Sequence, residues 1–564
     1  MAKNEIPVVD LFAGPGGLGE GFSSFEVARA NGTFFNPFQI RISVEMDEVA
    51  HQTLQLRGFY RNLARNEGDA GFYYELIRDE PEVLGSVGGL SKLVNSKGGP
   101  RERRAYAEAE RETLCAKLGS DDQRIPDRIR ESVGGKRDWV LIGGPPCQAY
   151  SLVGRSRNRG KKDYRIEDDP RSHLYREYLE VIAEHSPSVF LMENVKGMLS
   201  AKLDGERVFE RIIRDLRRPK AALGRTGRQN DQDVRYEVVP AVRPDGSLFG
   251  IDTTDEHDFV VRSERFGVPQ NRHRVILLGI RSDILEASNS YKHRDWYLES
   301  DSNHPSTVGD VIADLPPLAS FLSTLTDPDG RRVKADGTLF ELRGFMAGAF
   351  RDGKPGHAWK WLKKYSNIGP QERKISQMVQ VTARRISKAS AGDGKPFIPH
   401  NSGLLLETNP LHEWLSDPRL GGVANHESRR HLDMDLVRYL FAACFAKVKL
   451  KTPGLVDFPD ELIPEHKSAG TGHFNDRFRV QCQDQAATTV TSHISKDGHY
   501  FIHPKPIQCR SLTVREAARI QTFKDNYFFC GKRTAQFHQV GNAVPPFLAR
   551  QLAGSVWKLL EGTI

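Results

Sequence analysis

Short apolar runs punctuate the first half of the chain, rich in β-branched residues and closed by glycine or charge. They are IPVVDLF (6–12), QIRISVE (39–45), DWVLIGG (138–144), SVFLMEN (188–194) and RVILLGI (274–280). Most are apolar almost throughout, as strands covered on both faces are. Between them, GLGEGFSSFEVARA, HLYREYLEVIAEH and GERVFERIIRDLRR return an apolar residue every third or fourth position. That spacing gives a helix one buried stripe. Strands alternating with helices over about 280 residues predict an α/β fold built on a parallel, doubly wound sheet.

Two regions break the rhythm. Residues 58–137 are charged (SKGGPRERRAYAEAERE) and read as a loop-rich insertion between strands. Residues 281–507 lose the alternation and carry turn clusters such as DPDGRR, ASAGDGKP and SKDGH, which predict a second domain of mixed, mostly irregular structure. Beyond it SLTVREAARIQTF reads as a helix. PFLARQLAGSVWKLL sets Leu548, Leu552, Val556 and Leu560 four apart, a greasy face that should pack back on the first sheet. The division expected is 1–285 for the first domain, with its insertion at about 58–137, then 286–507 for the second and 508–564 for the return.

Composition narrows the class. Lys and Arg number 81 against 73 Asp and Glu, a net charge of +8 that suits a polyanionic partner without naming one. The six cysteines include no C-x-x-C pair, which argues against a disulfide scaffold and for a reducing, intracellular setting. The N-terminus lacks the basic-then-apolar build of a signal peptide, and no run is long enough to span a bilayer. A soluble cytoplasmic protein is expected.

The chemistry gathers where such sheets bind ligands, beyond the carboxyl ends of the strands. Gly14-Pro15-Gly16-Gly17-Leu18-Gly19 satisfies G-x-G-x-x-G between a strand and a helix, and Glu45 ends the next strand, where an acid suits ribose hydroxyls. These residues imply a nucleoside cofactor and leave nicotinamide dinucleotide and S-adenosylmethionine both open. In GGPPCQ, two glycines and two prolines hold Cys147 on a stiff ledge. It is either a nucleophile facing a planar substrate or a small buried hydrophobe. Met192-Glu193-Asn194-Val195 puts a carboxyl group on the neighbouring strand end, able to donate a proton or hydrogen bond if buried. In FGVPQNRHRVILLGI, Gln270, Arg272 and Arg274 alternate into a strand, so both arginines share a face. QVGNAVPP presents Asn542 at the start of the last helix.

Taken in order, DLFAGPGG, the acid of SVEMD, GGPPCQAYS, MENV, QNRHR, SLTVREAARIQTF and QVGNAVPP resemble the cytosine-5 DNA methyltransferases of bacterial type. The resemblance implies a Rossmann-like, S-adenosylmethionine-dependent methyltransferase fold with a large target-recognition domain. It assigns Cys147 to attack at carbon 6 of a flipped cytosine, and Glu193 to ring nitrogen 3 and the exocyclic amine. Arg272 and Arg274 would surround the base with Gln270 as support. Phe12, Gly14, Gly17, Leu18, Glu45, Met46, Pro146, Asn542 and Val544 would hold S-adenosyl-L-methionine, and no metal is implied. The resemblance further implies double-stranded DNA as the partner, a cognate restriction or defence nuclease, and a monomer working at the nucleoid.

SLVGRSRNRGKKDYRIEDDPR, with glycines at 154 and 160, reads as a closing loop that grips phosphates. Within the recognition domain, FNDRFRVQ (474–481) and TTVTSHISKDGHYFIHP (488–504) are the DNA-facing pieces expected. One departure stands out: the family's Gly-Asp-Ile-like strand end, whose Asp meets the adenine amine, is blurred, and LGSDDQ offers Asp121 or Asp122. The same chemistry on RNA, or DNA binding without turnover, are the alternative readings. An amino-directed DNA methyltransferase would carry Asp/Asn-Pro-Pro-aromatic where this chain has Gly-Pro-Pro-Cys, and an oxidoreductase would leave Cys147, Glu193 and QNRHR without a role.

Overall fold

The structure is a computed structural model that describes residues 5–120, 122–146, 174–203, 205–225, 234–243, 255–293, 295–300, 305–326, 331–351, 356–390, 392, 394–400, 411–464 and 476–561. The chain divides into two compact units. One comprises Met1–Tyr73, Gly85–Pro305 and Asn542–Ile564; the other comprises Tyr74–Leu84 and Ser306–Gly541.

The first unit is organised by one sheet. Its strands are β1 (Ile6–Leu11), β2 (Phe38–Glu45), β3 (Thr113–Cys115), β4 (Val140–Gly143), β5 (Val189–Val195), β6 (Tyr236–Pro240), β7 (Val260–Arg262) and β8 (His273–Arg281). They lie in the order β6-β8-β5-β4-β1-β2-β3, with β7 also paired to β8. The five expected strands all form, and β1 to β5 pair in parallel. The expectation of a wholly parallel sheet fails at β8, which runs antiparallel to β5, β6 and β7. The cause is local. Only a 3-10 turn, Ser263–Phe266, and the short stretch after it join β7 to β8, whereas a parallel return needs a longer crossover.

Helices cover both faces. On one side α1 (Gly17–Ser23) and the final helix, Pro546–Leu560, bury Leu18, Phe22, Leu548 and Leu552 against Val8, Ile40 and Ile142. The predicted greasy face holds: Leu548, Leu552, Val556 and Leu560 are each at most 1% exposed. On the other side Tyr178, Leu179 and Ile182 of the helix Leu174–His185 pack over Val9, Leu11 and Leu141.

The region expected to be loop-rich is helical instead. Helix α2 (Glu48–Glu67) is capped by Asp47, whose carboxylate accepts from the N–H groups of Val49 and Ala50. Helix α3 (Pro100–Glu112) turns only Ala105, Ala109 and Glu112 inward, so its charges line an exposed face and do not mark a loop. Arg57 of α2 meets Glu20 of α1 in a buried bidentate pair, at 2.8 and 2.7 Å.

The second unit is also more regular than expected. Helices α4 (Pro370–Ile386) and α5 (Asp433–Lys449) share a core in which Ile375, Val379, Ala383 and Ile386 meet Leu436, Leu440 and Phe441. The expected return at 508 does not match the contacts: residues 508–541 cluster with this unit. Of three fully buried arginines in this segment, Arg515 and Arg519 reach out to the rest of the unit. Arg510 grips Glu516 at 2.7 Å, Arg515 donates to the carbonyls of Ala424, Lys524 and Tyr527, and Arg519 pairs with Asp314 and Asp525. Tyr74 donates to Asp417 at 2.6 Å and brings its own short segment with it. Among the described residues, no helix is long and apolar enough to cross a membrane.

Two packing features generate tests. A Cβ on Gly21 of α1 would stand 2.3 Å from that of Ala549, so these helices meet at a glycine. Gly21→Val should destabilise the protein by about 1–3 kcal/mol in urea unfolding, and a variant as stable as the parent would show that the contact yields. Asp10 of β1 is fully buried beneath α1; burial pushes its carboxyl up to about 8, offset in part by Arg61 and the N–H of Gly19. The folded protein therefore holds a proton on Asp10 that the unfolded chain releases above its ordinary value of 3.8. Stability from this group is complete below that value and is lost as pH rises towards about 8. Asp10→Asn should flatten the fall in unfolding free energy between those limits, and an unchanged slope would refute the assignment.

Candidate active site

The site lies along one edge of the first unit's sheet, where β1, β2, β4 and β5 end and β8 begins. After β1 the chain bends through three left-handed positions: Phe12 (φ 56°), Gly14 (φ 57°) and Gly16 (φ 94°). Such a backbone is costly for phenylalanine and free for glycine. The bend is held by Ala13 N–H on the carbonyl of Val44 and Gly16 N–H on that of Ala13, at 3.1 and 2.9 Å. It turns the Gly14 N–H onto Oε2 of Glu45 at 2.8 Å, while Oε1 accepts from the N–H of Asp47 at 2.8 Å. Burial raises the Glu45 carboxyl above the usual range, and those two N–H groups pull it partly back. A Cβ at Gly14 would project into open space, whereas one at Gly17 would strike the carbonyl of Val544 at 2.2 Å. The first loop and the start of the last helix thus meet backbone to backbone.

The structure brings most of the expected cofactor residues to this edge, with differences. Phe12 is half-buried, and Met46 is 62% exposed beside Glu45. Leu18 and Val544 turn their side chains into the core, so they offer a ligand only backbone. Asn542 is exposed. The adenine-binding acid does not emerge: Asp122 is engaged with Arg124, and Asp121 lies outside the described residues. The strand tip opposite Glu45 carries Cys115, whose thiol burial and the nearby Glu48, Glu45 and Asp47 push up. Sequence reading missed this position because a strand of three residues inside a charged insertion leaves no apolar run to find.

The substrate side is tighter. The ledge after β4 passes against Glu193: a Cβ on Gly144 would stand 3.2 Å from its Oε2. Asn194 donates to the carbonyl of Pro145 at 3.3 Å, tying the tip of β5 to the ledge. That role was invisible in the sequence, where Asn194 was only a motif letter. Arg274, opposite Val195 in the β5–β8 pairing, brings its Nε to 2.9 Å from Glu193 Oε1, an ion pair not aligned as a hydrogen bond. Arg272 is buried nearby; burial, then the like charge of Arg274, drive its pKa well down, and Glu193 opposes them. Gln270 is fully buried, its carbonyl accepting from the N–H of Arg272 at 2.9 Å. Pro146 is half-buried at the ledge's end, while Cys147 and the expected closing loop after it lie outside the described residues.

Comparison with known proteins identifies the family. The family model of C-5 cytosine-specific DNA methylases matches residues 130–219, 257–396 and 427–558. Type II methyltransferase M.Bpa9945I of Bacillus paralicheniformis is 30% identical over 572 residues, spanning 98% of this chain and 99% of that one. Type II methyltransferase M.AgeI of Thalassovita gelatinovora is 27% identical over 456 residues, spanning 80% and 90%. A family match over more than half of the chain, and a relative 30% identical along nearly all of it, show that this chain belongs to the C-5 cytosine-specific DNA methylases.

Proposed function

We propose that this enzyme methylates carbon 5 of a cytosine flipped out of duplex DNA, through a transient bond from Cys147 to carbon 6. The observation that carries the reading is Glu193, mostly buried at the tip of β5, ion-paired to Arg274 and set against the ledge that leads into Cys147. A cytosine in a stacked duplex is out of reach of such a recessed group, so the base must leave the helix.

The glycine loop fits S-adenosyl-L-methionine. Open space in front of Gly14 admits a ligand against the backbone, and the carboxylate of Glu45 faces that loop, placed for ribose hydroxyls. Bound there, this cofactor supplies an electrophilic methyl group. Phe12, Gly14, Gly17 and Leu18 would border it from the first loop, Met46 from beside the ribose acid, Pro146 from the ledge, and Asn542 and Val544 from the stretch leading into the last helix.

The protein's own residues then do the following. The Cys147 thiolate adds to carbon 6 and saturates the 5,6 bond, while Glu193 shares a proton with ring nitrogen 3 and stabilises the charge gathering there. Carbon 5 becomes nucleophilic and takes the methyl. Loss of the carbon 5 proton to a base restores the double bond and expels the thiolate. Arg274 fixes the carboxyl group of Glu193, and Arg272 with Gln270 stiffens the turn into β8 that carries Arg274. The Type II names of both relatives support a place in a restriction–modification pair with a cognate nuclease.

Duplex DNA containing 5-fluorocytosine should trap the enzyme as a denaturation-resistant complex, because fluorine blocks the final elimination. Cys147→Ala should abolish trapping; a persistent adduct would sink the assignment of the nucleophile. Glu193→Gln should slow methyl transfer by about 10²-fold or more with duplex binding retained, and a near-normal rate would remove Glu193 from the chemistry. Gly17→Ala, which must displace the Val544 carbonyl, should weaken binding of S-adenosylhomocysteine about tenfold or more in calorimetry. Unchanged affinity would mean that the loop holds no cofactor.

A further inference from the structure

Resting on the reading of this chain as a methyltransferase of duplex DNA, the geometry points to the exposed face of helix α4 in the second unit as a major-groove recognition surface. Flanking cations on that face hold the phosphates, and a central line of Gln377, Gln380, Val381 and Arg384 reads base edges.

The segments expected from the sequence to face DNA are poor candidates. Of 488–504, Val490, Ile494, His499, Phe501, Ile502 and His503 are buried. In the other segment Gln481 is buried with its amide on Thr488 and Tyr500, and Arg479 and Arg477 pair with Asp476 and Asp497. These groups are spent inside the unit.

Helix α4 is the opposite case. Its buried stripe, Ile375, Val379, Ala383 and Ile386, packs into the core and fixes the orientation of everything else on the helix. At about 100° per residue, positions 373, 374, 377, 380, 381, 384 and 385 then fall within an arc of about 140°, and all seven are exposed. Glu372, the helix's only acid, lies off that arc and is taken up by Lys449 at 3.1 Å. From 357 to 388 the chain has eight Lys or Arg and that one acid, an excess of seven beside the whole chain's +8. The exposed arc of α4 itself carries four cations, Arg373, Lys374, Arg384 and Arg385, and no acid.

A merely solvated helix face mixes signs, and this chain contains one for comparison. Helix α3 is as charged, yet its four arginines are balanced by four glutamates. On α4 the neutral exposed residues are also telling. Glutamine pairs in two-point fashion with adenine, arginine with guanine, and a small apolar group meets the thymine methyl. Val381, 51% exposed between cations, has no role in the core. The guanidinium of Arg384 sits 5.0 Å from the centroid of the Phe350 ring, which limits its freedom before binding. At 17 residues the helix runs about 25 Å, enough to follow the groove across several base pairs.

The test uses the full chain and two readouts. Bisulfite sequencing of DNA from expressing cells gives the methylated context, and anisotropy with a duplex of about 30 bp across a salt series counts phosphate contacts. Replacing Arg373, Lys374 and Arg385 together by alanine should lower the slope of log affinity against log salt by up to about 3 and weaken binding about tenfold or more. Gln377→Ala and Arg384→Ala should each relax the methylated context at a neighbouring base, about 10- to 100-fold in preference. Arg384→Lys should keep the salt slope and still relax the context, an outcome that loss of folding cannot produce. If the parent marks cytosines in a sharp context and every variant keeps that context and slope, the proposal for α4 is overturned while the enzyme assignment stands. A parent that marks no cytosine in DNA defeats the underlying reading and this surface with it.

Discussion

Strand β8 runs against β5 with Arg274 opposite Val195, and the arrangement of the substrate side follows from that pairing. In a parallel sheet, the start of β8 would lie at the far edge, a strand's length from the tips that carry Glu45, the Gly-Pro-Pro ledge and Glu193. Reversing one strand lets an arginine at its beginning meet a carboxylate at its neighbour's end. The same reversal shields the pair: Arg272 and Gln270, on the turn into β8, are buried beside it. A mostly buried carboxylate beside a cation is a poised group, because taking either partner away leaves a charge with little water to stabilise it. The ion pair thus depends on strand direction, which a reaction-centred description of the residues would not reveal.

The cofactor side depends on close backbone approach. Gly17 has no room for a side chain because Val544 is there, Gly21 has none because Ala549 is there, and Gly14 has a left-handed backbone facing open space. The first two glycines set the seating of α1 on the last helix; the third leaves the loop bare where a ligand would lie. Beneath them burial favours the uncharged form of Asp10, in a sheet that already carries Glu45 at its edge.

What the sequence made legible was whatever local chemistry dictates. The five long strands, the final helix and the glycine loop follow from apolar runs, four-residue spacing and turn residues, all short-range signals. Strand direction did not follow, although a hint was present. QNRHR precedes its strand, whereas the glycine loop, the acid of SVEMD, GGPPCQ and MENV lie at the carboxyl ends of theirs, and an antiparallel strand brings such a motif to the common edge. The helices after β2 were misread because charge was taken for irregularity; α3 buries only two alanines and one glutamate, too little apolar signal to mark a stripe. The second unit was misjudged for a related reason. Its turn clusters are real, but the helices between them are tied together by residues far apart in sequence, as Arg519 ties Asp314 to Asp525, and no window on the chain can show that.

Those buried arginines also give meaning to the exposed ones. Arg510, Arg515 and Arg519 are enclosed and fully occupied by carboxylates and carbonyls, so they fix the second unit's frame and can offer nothing to a ligand. A guanidinium costs too much to bury for any purpose less than structural, and each of these repays it with several aligned acceptors. Arg373, Arg384 and Arg385 are the same side chain in the other condition, hydrated, on one face of a helix whose opposite face is locked into the core. A rigid helix that presents cations and amides without balancing acids already has its binding geometry, and it loses little order when phosphates replace water around it. The net charge of the chain, which by itself said only that a polyanion suited it, becomes an argument about place where one helix face carries four cations and no acid.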